Sequence, residues 1–189
     1  MTQQKRALLF LAGATMVGMP VLGAIIAWIF DVDLQDRWIG PAPLLVQLAV
    51  GVVMGLLAGF SARFIISRDF MRSVRLKYAR MFGNLDLSLS EVMFIAVCAG
   101  FGEELLFRGV IQPLLGIIIT SVLFVAIHGY LNPKDWRVSV YGLYMSAVIF
   151  GFGLATDFFG IWSAIIAHTL VDVILLLDLE DEGESDLAI

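Results

Sequence analysis

ALLFLAGATMVGMPVLGAIIAWIF, residues 7–30, is the stretch that decides the fold. It contains no ionisable side chain, follows Lys5 and Arg6, and is ended by Asp31, Asp33 and Asp36. At 1.5 Å per residue it is about 36 Å long, enough to cross a hydrocarbon core of about 30 Å. Signal-peptide cores run to about 7–15 residues, so this segment reads as a retained membrane span. The rest of the chain agrees. Of 189 residues, 60% are apolar and 15% charged, against about 45–50% and 25% in soluble domains, and the mean hydropathy is +0.92. So few polar residues cannot cover a water-exposed surface of this size. At about 20 residues per crossing there is room for about five to seven spans. This composition excludes nucleic-acid readers, cytosolic enzymes and disulfide-stapled secreted domains. Cys98, the single cysteine, has no internal partner and reads as packing.

Outward from the first span, a second runs from about Pro43 to Ile66. Its Gly51, Gly55 and Gly59 form two overlapping GxxxG steps, which read as close helix packing inside the chain rather than a dimer face. Residues 63–86 carry Arg63, Arg68, Arg72, Arg75, Lys77 and Arg80 among Phe70, Met71, Val74, Leu76, Tyr78, Met81 and Phe82. That spacing reads as a basic amphipathic helix on anionic headgroups, or as an ordinary basic loop. A third apolar stretch spans Ser88–Leu115 and a fourth Gly116–Tyr130, with the break near Pro113 and Gly116. A fifth runs from about Val138 to Ala155 and a sixth from Phe158 to Leu177. The expected organisation is one membrane domain over 1–177 and an acidic, disordered tail over 178–189. That tail holds six of the seventeen acidic residues, and without it twelve basic residues face eleven acidic ones.

With six spans both termini share one side. Ten of the twelve Lys and Arg residues fall there, with only Arg37 and Arg108 elsewhere. The positive-inside rule makes that side cytoplasmic. Trp28, Trp38 and Trp136 lie near span ends, where they suit interfacial anchoring.

Ionisable residues inside apolar spans are costly and mark functional sites by default. Here they form three groups. Glu103 and Glu104 precede Arg108; Glu104 and Arg108, four apart, share a helix face and can pair. Glu103 is turned about 100° away, and an unpaired buried carboxylate is expensive. His128 ends the run Phe124-Val-Ala-Ile-His128. His168 and Asp172 lie one turn apart, and the chain has no further histidine. Two imidazoles and a carboxylate can activate water and then protonate a leaving amine. They can also ligate zinc with a position left for water; His128, His168, Asp172 and Glu103 would then be the ligands. Other intramembrane protease signatures are missing: there is no HExxH, Gly59-Phe-Ser-Ala62 is not GxSG, and Gly151-Phe-Gly-Leu154 lacks the aspartate of GxGD.

Taken together, Glu103-Glu104-x-x-x-Arg108, Phe124-x-x-x-His128 and His168-x-x-x-Asp172 resemble the CPBP intramembrane proteases. These include the type II CAAX prenyl endopeptidases and bacterial relatives linked to bacteriocin self-immunity. The resemblance covers about residues 88–177, and Glu-Glu-Leu-Leu-Phe-Arg-Gly looks most like the bacterial branch. It implies an all-α bundle of about six transmembrane helices around an intramembrane polar cavity, in a bacterial cytoplasmic membrane. It implies peptide-bond hydrolysis, without a metal on the reading preferred here and with zinc as the alternative. Glu103 would activate water, Glu104 and Arg108 would support it, and His128 would position the water. His168 and the residue four beyond would stabilise the oxyanion. In the prenyl-protein enzymes that residue is asparagine. Asp172 accepts only, when ionised. It would stay protonated, orient His168 (the preferred reading) or ligate a metal. The departure bears on a prenylated substrate more than on the chemistry.

The implied partners are membrane lipids and a peptide or protein substrate, membrane-associated or prenylated, and no nucleic acid. Two other classes stay in view: an idle scaffold or immunity factor on the same fold, and a proton-coupled carrier, which would more often show inverted repeats. Sidedness stays open too. Glu103 lies about 22 Å into a span that starts on the cytoplasmic side, so either the span count is off by one or the site opens outward.

Overall fold

The computed structural model describes residues 1–72, 74–75, 85–132 and 134–186. They form an all-α bundle: α1 (Gln3–Phe30), α2 (Leu34–Ile39), α3 (Leu44–Ile66), a 3-10 turn (Asp69–Met71), α4 (Leu89–Leu106), a π-turn (Phe107–Ile111), α5 (Gln112–Ile127), α6 (Trp136–Phe158) and α7 (Ile161–Asp186). Polar residues punctuate it. Thr2 caps α1, Asp33 caps α2, Asp135 caps α6, and Ser88 with Glu91 forms a capping box on α4. Each side chain satisfies amide donors that the first helical turn leaves unpaired.

Five helical stretches among the described residues are long and apolar enough to cross a membrane. Large apolar side chains such as Phe10, Trp28, Ile118 and Leu143 are exposed around them, as lipid-facing positions are. The chain is a multi-pass membrane protein. The third and fourth stretches read from the sequence form one apolar run, Leu89–Ile127, of 39 residues, but it is not straight. Gly116 sits at φ 79°, ψ 163°, backbone that only glycine adopts readily. There the chain reverses. A straight helix would set Glu103 and His128 about 37 Å apart, yet their side chains meet at 3.4 Å. The arm beyond Gly116 is about 16 Å long, half a bilayer. The sequence break near Pro113 and Gly116 thus divides in two. Gly116 makes the reversal, while Pro113 lies in the first turn of α5. Proline has no N–H and its ring presses on the carbonyl four residues back. The π-turn just before it, where Gln112 N donates to Phe107 O, widens the helix at that point.

α7 is the central helix, packed against α3, α4 and α6. The glycine ridge of α3 is what admits it: a Cβ at Gly51 would lie 2.7 Å from Ser163 O, and one at Gly55 2.8 Å from Leu170 Cβ. Those glycines pack within the chain. On α4, Gly100 gives way to Thr169 in the same manner, and Gly102 to the backbone of α1 at Thr15.

Lys5 Nζ pairs with Glu91 at 2.8 Å, so α1 and α4 start at one end of the bundle. Arg63 pairs with Asp178 at 2.5 Å, joining the ends of α3 and α7. At the opposite end Arg37 meets Asp157 at 2.7 Å. Of the basic segment, Met71 and Val74 are buried against Ala62, Ile66, Val138 and Tyr141, and Arg68 lies 3.6 Å over the exposed Phe64 ring. Its remainder, residue 73 and residues 76–84 with Lys77 and Arg80, lies outside the described residues. α7 carries helical backbone past Leu177 to Asp186; the side chains of the acidic tail beyond Asp178 are likewise outside the description.

Gly55→Leu should drive α3 off α7 and cost about 1–3 kcal/mol. Gly18→Leu, where an added Cβ meets nothing, should leave stability unchanged. Thermal unfolding of both variants in detergent checks this, and equal losses would refute the packing.

Candidate active site

The three charged groups converge. α4 supplies Glu103 and Glu104, the π-turn Arg108, the end of α5 His128, and α7 His168 and Asp172. Glu104 and Arg108 are completely buried. Arg108 Nε lies 3.0 Å from Glu104 Oε2 and Nη2 donates to Ile149 O on α6 at 3.2 Å. The Phe124 ring stands under the guanidinium, 5.0 Å from Cζ. Glu104 has a partner at each oxygen: Oε2 is ion-paired with Arg108 without hydrogen-bond geometry, and Oε1 lies 2.8 Å from His168 Nδ1. A carboxylate there accepts, so His168 Nδ1 is the N–H. The other ring nitrogen, Nε2, lies 3.6 Å from Asp172 Oδ2. The short contact that orients His168 therefore comes from Glu104, with Asp172 standing further off on the opposite side of the ring.

Glu103 points elsewhere, as one residue's rotation along a helix requires. Its Oε2 is 3.4 Å from His128 Nε2 and has no hydrogen-bond partner. His128 Nδ1 lies 2.7 Å from Phe124 O. A carbonyl can only accept, so Nδ1 carries a proton, and Nε2 is the nitrogen turned toward Glu103. Phe124 ties the pieces together. Its ring stacks on His128 at 4.4 Å and meets Phe107 and His168 edge-on at 4.9 and 5.7 Å.

Glu103, His128, His168 and Asp172 line a cavity of about 420 Å³ whose other walls are mostly apolar, among them Tyr141, Ile149 and Val171. It runs from the charged floor to Leu8, Ile66 and Asp178, the end of the bundle that holds the N terminus. Among the described residues no three His, Cys, Asp or Glu side chains stand close enough to hold a metal ion. The four residues named above for that role form two pairs, Glu103–His128 and His168–Asp172.

Sequence reasoning places all six residues in one site but misses two links: the contact from Glu104 to His168, and the Ile149 carbonyl. Both join residues far apart in the chain, and the second is a backbone atom with no residue-type signature. Phe124 enters the sequence reading as the first residue of the Phe124-x-x-x-His128 motif, with no role of its own; an aromatic one turn from a histidine is the signal for that role.

Removing one partner of a buried ion pair leaves the other charge uncompensated. Arg108→Met should cost about 3–5 kcal/mol, and adding Glu104→Gln, which still accepts from His168, should recover most of it. Denaturant unfolding of the single and double variants checks this, and a double variant no more stable than the single would count against it.

Comparison with known proteins concentrates on the same stretch. The family model for type II CAAX prenyl endopeptidase Rce1-like proteins matches residues 85–174. The uncharacterized protein YpbD of Bacillus subtilis (strain 168) is 29% identical over 97 residues, covering 50% of this chain and 49% of that protein. The match thus spans about half the length of the curated relative. No solved structure matches the chain significantly. Over residues 85–174, where all six site residues lie, the chain is similar to the Rce1-like type II CAAX prenyl endopeptidases.

Proposed function

We propose that this chain is an intramembrane endopeptidase in which Glu103 is the base that activates water. The observation that carries the reading is the Glu103–His128 pair, drawn from two elements and facing a cavity at 3.4 Å. Water held on the cavity side against both the Glu103 carboxylate and His128 gives a proton to Glu103 as its oxygen attacks the substrate carbonyl. The carbonyl π electrons move onto oxygen, and collapse of that oxyanion expels the amine, which takes the proton back from Glu103. The two-donor imidazolium of His168 has one N–H for Glu104 and one at Nε2, facing Asp172 and the cavity. That Nε2–H is the donor available to the oxyanion. Asp172 balances the ring's charge from 3.6 Å. Glu104 and Arg108 position His168 from behind without reaching the substrate.

The apolar walls suit a substrate segment with apolar side chains, in a site dry enough for each charge to act strongly. The cavity leads to the end carrying Lys5, Arg63 and Arg68, the cytoplasmic end by the positive-inside rule. That reading removes the apparent conflict over sidedness: Glu103 is deep, and the cavity reaches it from the side where α4 begins. The peptidase of this proposal acts in a bacterial cytoplasmic membrane with both termini cytoplasmic.

Glu103→Gln keeps the shape and removes the base. In detergent-purified, chelator-washed protein it should lower cleavage of a fluorogenic peptide library by about 10²–10⁴-fold, with thermal stability unchanged. Wild-type activity in the variant would sink the assignment of Glu103. Cleavage restored only by added zinc would recast the four cavity-lining residues as ligands, and a wild type that cleaves nothing would bring the scaffold reading forward. In vesicles, peptide supplied on the cytoplasmic side alone should be cut. Cleavage only from the other side would reverse the orientation.

A further inference from the structure

A second cavity, of about 350 Å³, lies at the opposite end of the bundle from the mouth of the first. Its inner wall is Pro20 and Gly23 of α1, Leu105 and Val110 beside the π-turn, and Ile161 of α7. α2 closes its outer side with Leu34, Gln35, Arg37 and Trp38. This wall has nothing with which to hold water. An ordered internal water needs about two to four polar partners, and here the side chains with polar atoms, Gln35, Arg37 and Trp38, sit together on the short α2. An empty cleft is also disfavoured, since lining atoms with nothing against them lose their dispersion contacts. In a membrane the apolar material at hand is hydrocarbon.

α2 fits that setting. It follows the end of the first span, and exposes Leu34, Trp38 and Ile39, as a segment lying in the interface does. Trp38 stacks edge-on against Trp162 with ring centres 4.7 Å apart. Arg37 gives Nη1 to Asp157 at 2.7 Å. A guanidinium has five N–H donors, which leaves others for a phosphate at headgroup level. Gly109 lines the cleft as well, and a Cβ built on it meets only Ile161 Cδ1, at 3.6 Å. The space is real, and a modest side chain would enter it.

We infer that this cleft binds one acyl chain of a phospholipid, with the phosphate at Arg37 and the chain running inward along α1 to the π-turn. The site is separate from the catalytic cavity, and the inference does not depend on the proposed activity. Bound lipid stands against the backbone of Gly109 and Val110, next to Arg108, and so buttresses the turn that carries the arginine.

The test uses full-length protein in detergent, with Trp28→Phe and Trp136→Phe removing the exposed outlying tryptophans so that Trp38 and Trp162 report. Phosphatidylglycerol with brominated acyl chains, titrated in, should quench that fluorescence saturably at about one lipid per chain. Gly109→Val and, separately, Ala24→Leu fill the cleft from two sides and should weaken quenching about tenfold or more. Gly18→Val, on α1 where nothing lies within 4 Å of an added Cβ, should not. A brominated single-chain detergent without a phosphate separates a hydrocarbon site from a phospholipid site; equal quenching by it would overturn the role of Arg37. Quenching that rises without saturation, or is the same in both filled variants as in wild type, would overturn the site. Should both filled variants fail to fold, mass spectrometry of extensively washed wild type decides: about one retained phospholipid per chain supports the inference, and none overturns it.

Discussion

Glu104 is a carboxylate with no exposed surface, and a buried charge persists only where it is fully answered. Two cations or donors answer it, one per oxygen: Arg108 from the same helix and His168 from α7. Arg108 in turn reaches the Ile149 carbonyl on α6, so one carboxyl group ties three helices at a single depth. The rest of the site is arranged around that knot. Because Glu104 faces inward, Glu103 faces the cavity; because His168 is held at Nδ1, its Nε2 is the nitrogen presented to Asp172. Moving any of the three helices by an ångström would break a contact in a medium with no water to replace it.

The apolar packing serves the same geometry. Glycines on α3 and α4 let α7 approach closely enough for His168 to reach Glu104. Phe124 fills the angle between the two histidines and the guanidinium. Its ring and its carbonyl act separately, the ring as packing and the carbonyl as the acceptor that holds a proton on His128 Nδ1.

Much of this is legible in the sequence, for identifiable reasons. Hydropathy runs show the helices, because lipid leaves a backbone no alternative to internal hydrogen bonds. Local spacing shows the pairing of Glu104 with Arg108 and the divergence of Glu103, because both follow from helical rotation. The Pro113–Gly116 break is visible as composition, yet its division into a widened turn and a reversal is not; that depends on the φ of one glycine. Least legible is the partner of Glu104. His168 lies 64 residues on, and no periodicity connects them. Asp172, one turn from His168, is the partner that local spacing suggests, and it stands at 3.6 Å.

That long separation has a consequence for how the protein is made. α4 enters the membrane carrying Glu103, Glu104 and Arg108, and ionised residues such as Arg or Asp add about 2.5–3.5 kcal/mol each to insertion at a helix centre. His168 emerges from the ribosome only some sixty residues later. The four-residue spacing of Glu104 and Arg108 supplies an interim partner within a single turn, so the helix crosses as a locally paired segment and waits. The short arm after Gly116 is too brief to insert by itself and follows its neighbour as a hairpin. Order along the chain therefore presents the self-sufficient pair first, Phe124 and His128 next, and last the central helix, which carries the second partner of Glu104.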